Sequence, residues 1–311
     1  MRTFLLGATL SLLSVPLLFC QNPAEPADST GNSLANYSYQ LPLHWTERQS
    51  SGYIALTSPT YRNANLMARP MDPQMENCQI TLLPMRPATR TLGEEAVLTF
   101  RQVFHTDPLV PNTSGPPTIT NGISPQGWEY ILIRKLIGGQ EGEARTTGAT
   151  FLMAKVGNQV ATVIGVSRDF LWSACFGQQH GDAWPGFFYI LQFRNAPPAA
   201  QAQAAIQQQF IGTWLGGTGD VGLAYVFQPD GHYSSVGGTR NKMTGQLIPS
   251  FQRDGTFALN NKALVLTAND YSRSAQFFRI GRISRDSGRS WTQQLCLFDP
   301  RNSGEICYDK R

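Results

Sequence analysis

Apolar and polar residues change their spacing along this chain, and the changes mark its parts. Residues 4–19 are apolar almost throughout, carried by Leu5, Leu6, Leu10, Leu12, Leu13, Leu17 and Leu18 behind the charge of Arg2. The run falls short of the roughly twenty residues a helix needs to cross a bilayer, so residues 1–20 read as a secretory signal peptide. Residues 21–35 are polar, contain Pro23 and Pro26, and suit a flexible tether. Over 36–195 the pattern is mixed. Alternating or apolar runs at 37–43, 52–56, 78–83, 128–133, 149–155 and 159–166 predict strands. Between them, Leu92, Ala96, Val97, Phe100 and Val103 sit at helical spacing, with Thr91 and Glu94 placed to form a capping box. Residues 108–125 predict a loop rich in Pro, Gly and Thr, and 184–193 a second helix packed back on the sheet. Strands flanked by two helices predict an α+β sandwich.

Residues 196–209 open on Pro197 and Pro198 and continue in Ala and Gln, which predicts a linker with a short helix. From 210 to 311 the period becomes two, broken by turns at 229–231, 253–255 and 260–261 built on Asp-Gly or Asn. About eight strands in an antiparallel meander are expected, and curling into a small all-β barrel removes their exposed edges. The fold class is therefore α+β: an antiparallel sheet with flanking helices over 36–195, then the barrel over 210–311.

Composition agrees with this and excludes other classes. Of 311 residues, 41% are hydrophobic and 15% charged, against about 25% charged in ordinary soluble domains. Coiled coil and charge-driven disorder both need far more charge. The formal charge of +4 is unevenly placed. Basic and acidic residues balance up to 195, and the excess lies beyond it, where Arg273, Arg279, Arg282, Arg285 and Arg289 crowd one hairpin. A bulge at Gly281 would bring Arg279 and Arg282 onto one side as a clamp for an anionic group; otherwise they form a solvated basic strand. Nucleic acid is not an expected partner, since no reading motif accompanies the charge.

Three resemblances follow. Leu17, Leu18, Phe19 and Cys20 resemble the lipobox of bacterial lipoproteins, with Phe19 departing from the small residue that family places before its cysteine. This implies lipidation at Cys20, a cell-envelope location, and membrane attachment through that anchor alone. The alternative is cleavage nearby and release. The opening residues Tyr37, Ser38, Tyr39, Gln40, Leu41, Pro42, Leu43, His44 and Trp45, the strand at 80–84 followed by a helix, and the closing Phe187, Phe188, Ile190 and Leu191 resemble the PsbP-like family. That likeness implies adaptor or binding roles. Gly212, Thr213 and Trp214 after a short helix, the hairpin 225–233, and a closing strand with Leu295, Leu297, Cys307 and Tyr308 resemble the lipocalin-like barrel. This barrel is shorter than a full lipocalin, and eight strands enclose either packed side chains or one small ligand.

With Cys20 set aside, four cysteines remain, an even number that suits an oxidising compartment. Pairing Phe298 with Glu305 across the turn 299–304 sets Cys296 opposite Cys307, and a cross-strand disulfide there is worth about 3 kcal/mol. Cys78 with Cys175 follows by elimination; the alternative is two buried thiols. Metal and cofactor chemistry is not expected. His44, His105, His180 and His232 have no ligand spacing, and neither a C-x-x-C nor a G-x-S-x-G motif occurs. Gly217 to Gly222 satisfies G-x-G-x-x-G, but a strand pattern follows it instead of a helix, so it reads as a hairpin loop. Glu94 with Glu95 and Glu141 with Glu143 read as solvated charge.

The expected function is thus non-enzymatic binding of a small apolar or amphiphilic ligand in the barrel. Trp214, Leu223, Tyr225, Phe227 and Tyr233 are the expected lining, with Arg279 and Arg282 as candidate anion contacts. Leu223, Tyr225 and Phe227 share one strand face. The rival expectation is an envelope structural or protein-interaction lipoprotein with packed domains and a protein partner. A third, enzymatic, reading needs a cleft holding Glu129, His180 or Asp182.

Overall fold

The computed structural model describes residues 33–42, 44–59, 77–111, 116–137, 147–168, 175, 183–194, 206–217, 221–241, 243–244, 246–260, 263–299 and 304–311. The expected signal and tether with Cys20, and also Glu141, Glu143, His180 and Asp182, lie outside these residues.

The first half is a sheet between two helices. In chain order its elements are β1 (Tyr37–Ser38), β2 (Thr46–Gln49), β3 (Ile54–Thr57), β4 (Gln79–Pro87), α1 (Leu92–Phe104), β5 (Thr118–Ile123), β6 (Glu129–Ile137), β7 (Thr147–Val156), β8 (Gln159–Arg168), α2 (Ala183–Ile190) and β9 (Gln192–Phe193). The sheet runs β5-β6-β7-β8-β4-β3-β2, with antiparallel neighbours throughout, while β1 and β9 form a separate two-stranded ribbon. Helix α1 starts at the expected capping box: Thr91 accepts from the Glu94 amide, and Glu94 accepts from the Thr91 amide. Its Ala96 and Phe100 pack on Ile133, Phe151, Met153 and Val160 from one face of the sheet. Phe187, Phe188 and Tyr189 of α2 pack on the other face against Trp128, Tyr130, Leu152 and the buried Cys78 and Cys175.

Four features depart from the sequence pattern. The expected alternating strand at 37–43 shortens to β1, the unexpected β2 forms at the sheet edge, and β5 appears where a loop was expected. The turn expected at 253–255 does not form: Leu247–Asn260 is one continuous strand, in which Gly255 is held between Tyr233 and Ala268 of its neighbours and so is kept extended.

The second half is a closed barrel of eight antiparallel strands, as the lipocalin resemblance implies. They are β10 (Gly212–Gly216), β11 (Val221–Phe227), β12 (His232–Arg240), β13 (Leu247–Asn260), β14 (Ala263–Ala268), β15 (Arg273–Ser284), β16 (Thr292–Asp299) and β17 (Gly304–Lys310). Each strand pairs with the next, and β17 pairs back on β10. The glycine-rich stretch after β10 leads directly into antiparallel β11, so it is a hairpin connection, as its sequence context predicts.

The two halves share one sheet. Strand β15 is twelve residues long; its start pairs with β14, and its end leaves the barrel and pairs with β5. At that seam Gly122 lies opposite Gly281. A Cβ on Gly281 would sit 2.1 Å from the Asn121 carbonyl oxygen, and one on Gly122 would sit 2.2 Å from that of Ile280. Only glycines allow the two backbones this close.

Both expected disulfides are present, Cys78–Cys175 and Cys296–Cys307, the latter between directly opposed residues of β16 and β17. Disulfides of this kind belong to an oxidising, exported compartment. No helix among the described residues is long and apolar enough to cross a membrane.

Candidate functional site

Strand alternation and register decide what faces the barrel lumen. Trp214 of β10, Leu223, Tyr225 and Phe227 of β11 and Tyr233 of β12 all point inward, as expected, and join one core. The two ends of that lumen differ. At the floor, a helical turn at 206–210 places Ile206 and Phe210 across the opening. Phe210 meets the rings of Phe227 and Phe278 edge-on at 5.5 and 5.0 Å, and Phe227 meets Phe257 at 5.0 Å. The Trp214 indole donates to the Phe210 carbonyl at 2.6 Å, which locks the turn onto the first barrel strand. This half is filled by side chains.

At the opposite end, the mouth, the inward positions go to small or polar residues. Ser235, Gly237, Gly255, Ala268, Ser274 and Gln276 replace the bulky side chains of the floor. Arg253 falls on the inward side by register, opposite Ser235, and its side chain is exposed. Burial raises the Tyr225 and Tyr233 hydroxyls above their ordinary range, and the Arg253 charge works against this at both. Burial likewise raises Tyr308, whose hydroxyl is coupled to that of Tyr225 and whose ring meets it edge-on at 5.3 Å. The Gln276 side-chain oxygen is buried here with no hydrogen-bond partner. A buried orphan acceptor costs about 1–3 kcal/mol, so such an atom marks a place where a donor is expected.

The lip of this mouth is apolar and open. Phe251 and Ile306 fall on the inward side by register yet stay 48% and 49% exposed. The Phe251 ring covers Gly237, where a Cβ would approach it to 2.1 Å. Val221, Met243, Ile248 and Tyr271, all exposed, belong to the same end. Tyr271 holds a left-handed backbone (φ 63°), a conformation that glycine or asparagine adopts at lower cost.

The two candidate arginines part company. The register through Gly281 is regular, with Gly281 opposite Gln294 and Arg282 opposite Gln293, so no bulge brings Arg279 and Arg282 together. Arg279 turns out of the barrel into the seam. Its Nε and Nη2 donate to the two Glu305 carboxylate oxygens at 2.8 and 2.9 Å, and both side chains are buried. The Tyr189 hydroxyl donates to the same carboxylate at 2.6 Å. Burial pushes the Glu305 carboxyl upward, and Arg279, nearby Arg134 and the Tyr189 hydrogen bond more than reverse this, holding it at about 2. Burial lowers Arg134 to about 10, and its Nε lacks a hydrogen bond. Arg279 is therefore committed to joining the halves. The other four arginines, Arg273, Arg282, Arg285 and Arg289, stay exposed, as a solvated basic strand requires. Arg282 lies over the Trp291 ring at 5.3 Å, and Arg285 reaches Asp309 at 3.5 Å.

On the outer side of the seam a cleft of about 630 Å³ runs between α1, β5, β6 and the barrel wall, with Asn121, Glu129, Gln209, Arg282, Trp291 and Gln293 around it. Of the three residues named for an enzymatic reading, Glu129 is on this cleft. The mouth and the cleft have in common that their residues come from strands far apart in sequence. The sequence signal for the mouth was the inward alternation of β11; no signal distinguished its two ends. No protein-family model matches the chain, and no curated protein matches it.

Proposed function

We propose that this is an exported, non-enzymatic binding protein that takes a small amphiphilic molecule into the mouth of its barrel. The observation that carries the reading is the Gln276 oxygen, buried without a partner in the half of the lumen lined by Gly, Ala and Ser. A ligand's polar end would meet Gln276, Arg253 and the Tyr225–Tyr308 pair. Its apolar part would lie against Leu223, Phe251 and Ile306, with Trp214, Phe227 and Tyr233 as the floor beneath it. Such a balance of a few placed polar groups in an apolar surround is typical of small-molecule sites. A lipid anchor at Cys20 would hold the barrel at the cell envelope. The α1–sheet–α2 layering supports a PsbP-like reading of the first half, and adaptor roles go with it.

A second reading, an envelope protein that binds another protein by the same end, is favoured by the exposed Met243, Ile248 and Tyr271 at the lip. Native mass spectrometry of the full chain with fatty acids and lysolipids of graded chain length separates the two. One ligand per chain is expected, with Arg253→Ala weakening an anionic ligand by about tenfold or more, as loss of a charge-assisted hydrogen bond does. No bound amphiphile across the panel, or equal affinity in Arg253→Ala, rejects the barrel-mouth site.

A further inference from the structure

The cleft at the seam is separate from the barrel mouth, and its chemistry is different. Planar hydrogen-bonding groups surround it: the amides of Asn121, Gln209 and Gln293, the Glu129 carboxylate and the Arg282 guanidinium. Each amide offers a donor and an acceptor side by side, the carboxylate accepts twice, and the guanidinium donates from a rigid fork. Of the residues lining the cleft one is acidic and one basic, and Lys155, opposite Glu129 on β7, adds a second positive charge nearby. A cationic molecule gains little from that set, and the Glu129 carboxylate opposes an anionic one. Arg282 is fixed by lying over the Trp291 ring, whose own N–H is used in donating to the Gly288 carbonyl at 3.1 Å. Gly122 and Gly281, whose backbones are paired in close contact, form part of the cleft lining. Leu92, Ile123 and Ile131 add apolar contact.

We infer that this cleft is a carbohydrate-binding site. Sugars offer vicinal hydroxyls that both donate and accept, matching planar bidentate groups, and apolar ring faces that suit the Leu and Ile side chains. The volume of about 630 Å³ lies within the range of small-molecule sites and admits a short oligosaccharide. The site lies between the two halves of the chain, where such pockets preferentially form.

The test is isothermal titration and saturation-transfer NMR of the full chain with cellotetraose, maltotetraose and tetra-N-acetylchitotetraose, with citrate and choline as anionic and cationic controls. Saturable binding of at least one neutral oligosaccharide is expected, with Arg282→Ala and Gln293→Ala each weakening it by about tenfold. Arg282 is exposed and Gln293 half-buried, so neither removes core packing. Arg253→Ala, at the barrel mouth, leaves sugar binding unchanged, which keeps this result distinct from the fate of the amphiphile site. The inference is overturned if no neutral oligosaccharide saturates by about millimolar concentration, if only the charged controls bind, or if both cleft variants bind like the parent.

Discussion

Glu305→Gln keeps the shape of a side chain at the seam and removes its charge. In the parent, Glu305 accepts both Arg279 donors and the Tyr189 hydroxyl in a place closed to solvent. Its carboxyl is held at about 2 against an ordinary 4.5. That difference corresponds to about 3 kcal/mol of folding free energy at neutral pH. Breaking a buried pair and stranding its cation costs about 3–5 kcal/mol in general, so the two routes to the magnitude agree. Because the folded pKa is depressed, the contribution is complete above about pH 4.5 and is lost as pH falls from there through about 2. Urea titrations followed by tryptophan fluorescence at pH 7, 4, 3 and 2.5 measure this. The variant is expected to be less stable by about 3 kcal/mol at pH 7, with the gap narrowing below pH 4.5 as the parent loses its own contribution. Replacing the pair together, Arg279→Met with Glu305→Leu, should recover much of the loss, since a well-packed apolar pair avoids burying charge. A variant within about 1 kcal/mol of the parent at pH 7, or a gap that does not change with pH, refutes the reasoning.

Two further outcomes follow from the seam and the disulfides. Gly281→Ala drives a Cβ into the Asn121 carbonyl; a loss of about 2–3 kcal/mol is expected. Hydrogen exchange should accelerate in β5 and the end of β15 before β11 and β12, and uniform protection would contradict the crossing described here. Removing Cys296–Cys307, which closes 11 residues, should cost about 3 kcal/mol by loop entropy, and Cys78–Cys175, which closes 97, should cost about 5. Thermal melts of the two double serine variants that reverse this order would refute the loop-entropy account.

Much of the fold was legible locally. The capping box of α1 is three residues wide, and the Asp-Gly turn at 229–231 announces its hairpin within a few positions, so short-range chemistry sufficed for both. The Asp-Gly at 254–255 misled, because pairing on both sides keeps β13 extended through it. The Cys296–Cys307 register followed from one turn length. Strand β5, Thr-Ile-Thr-Asn-Gly-Ile, was not legible. Its small and polar residues suit a close backbone crossing, and small polar residues without that context read as loop. The edge strand β2 is exposed at all four positions and so carried no apolar pattern to detect.

The sequence by itself determined the barrel, its inward faces, the Cys296–Cys307 disulfide and the helix–sheet layering of the first half. Those rest on periodicity, turn residues and caps, which act over a few residues. Only the tertiary structure decided that the two halves share a sheet, that Arg279 is buried instead of forming part of a basic surface, and which end of the barrel is open. Glu305 meets Tyr189 across 116 residues, and the small residues of the mouth come from four different strands. Whether an arginine is solvated or paired, and whether a lumen is filled or open, depends on what distant segments bring to it. No local pattern encodes that.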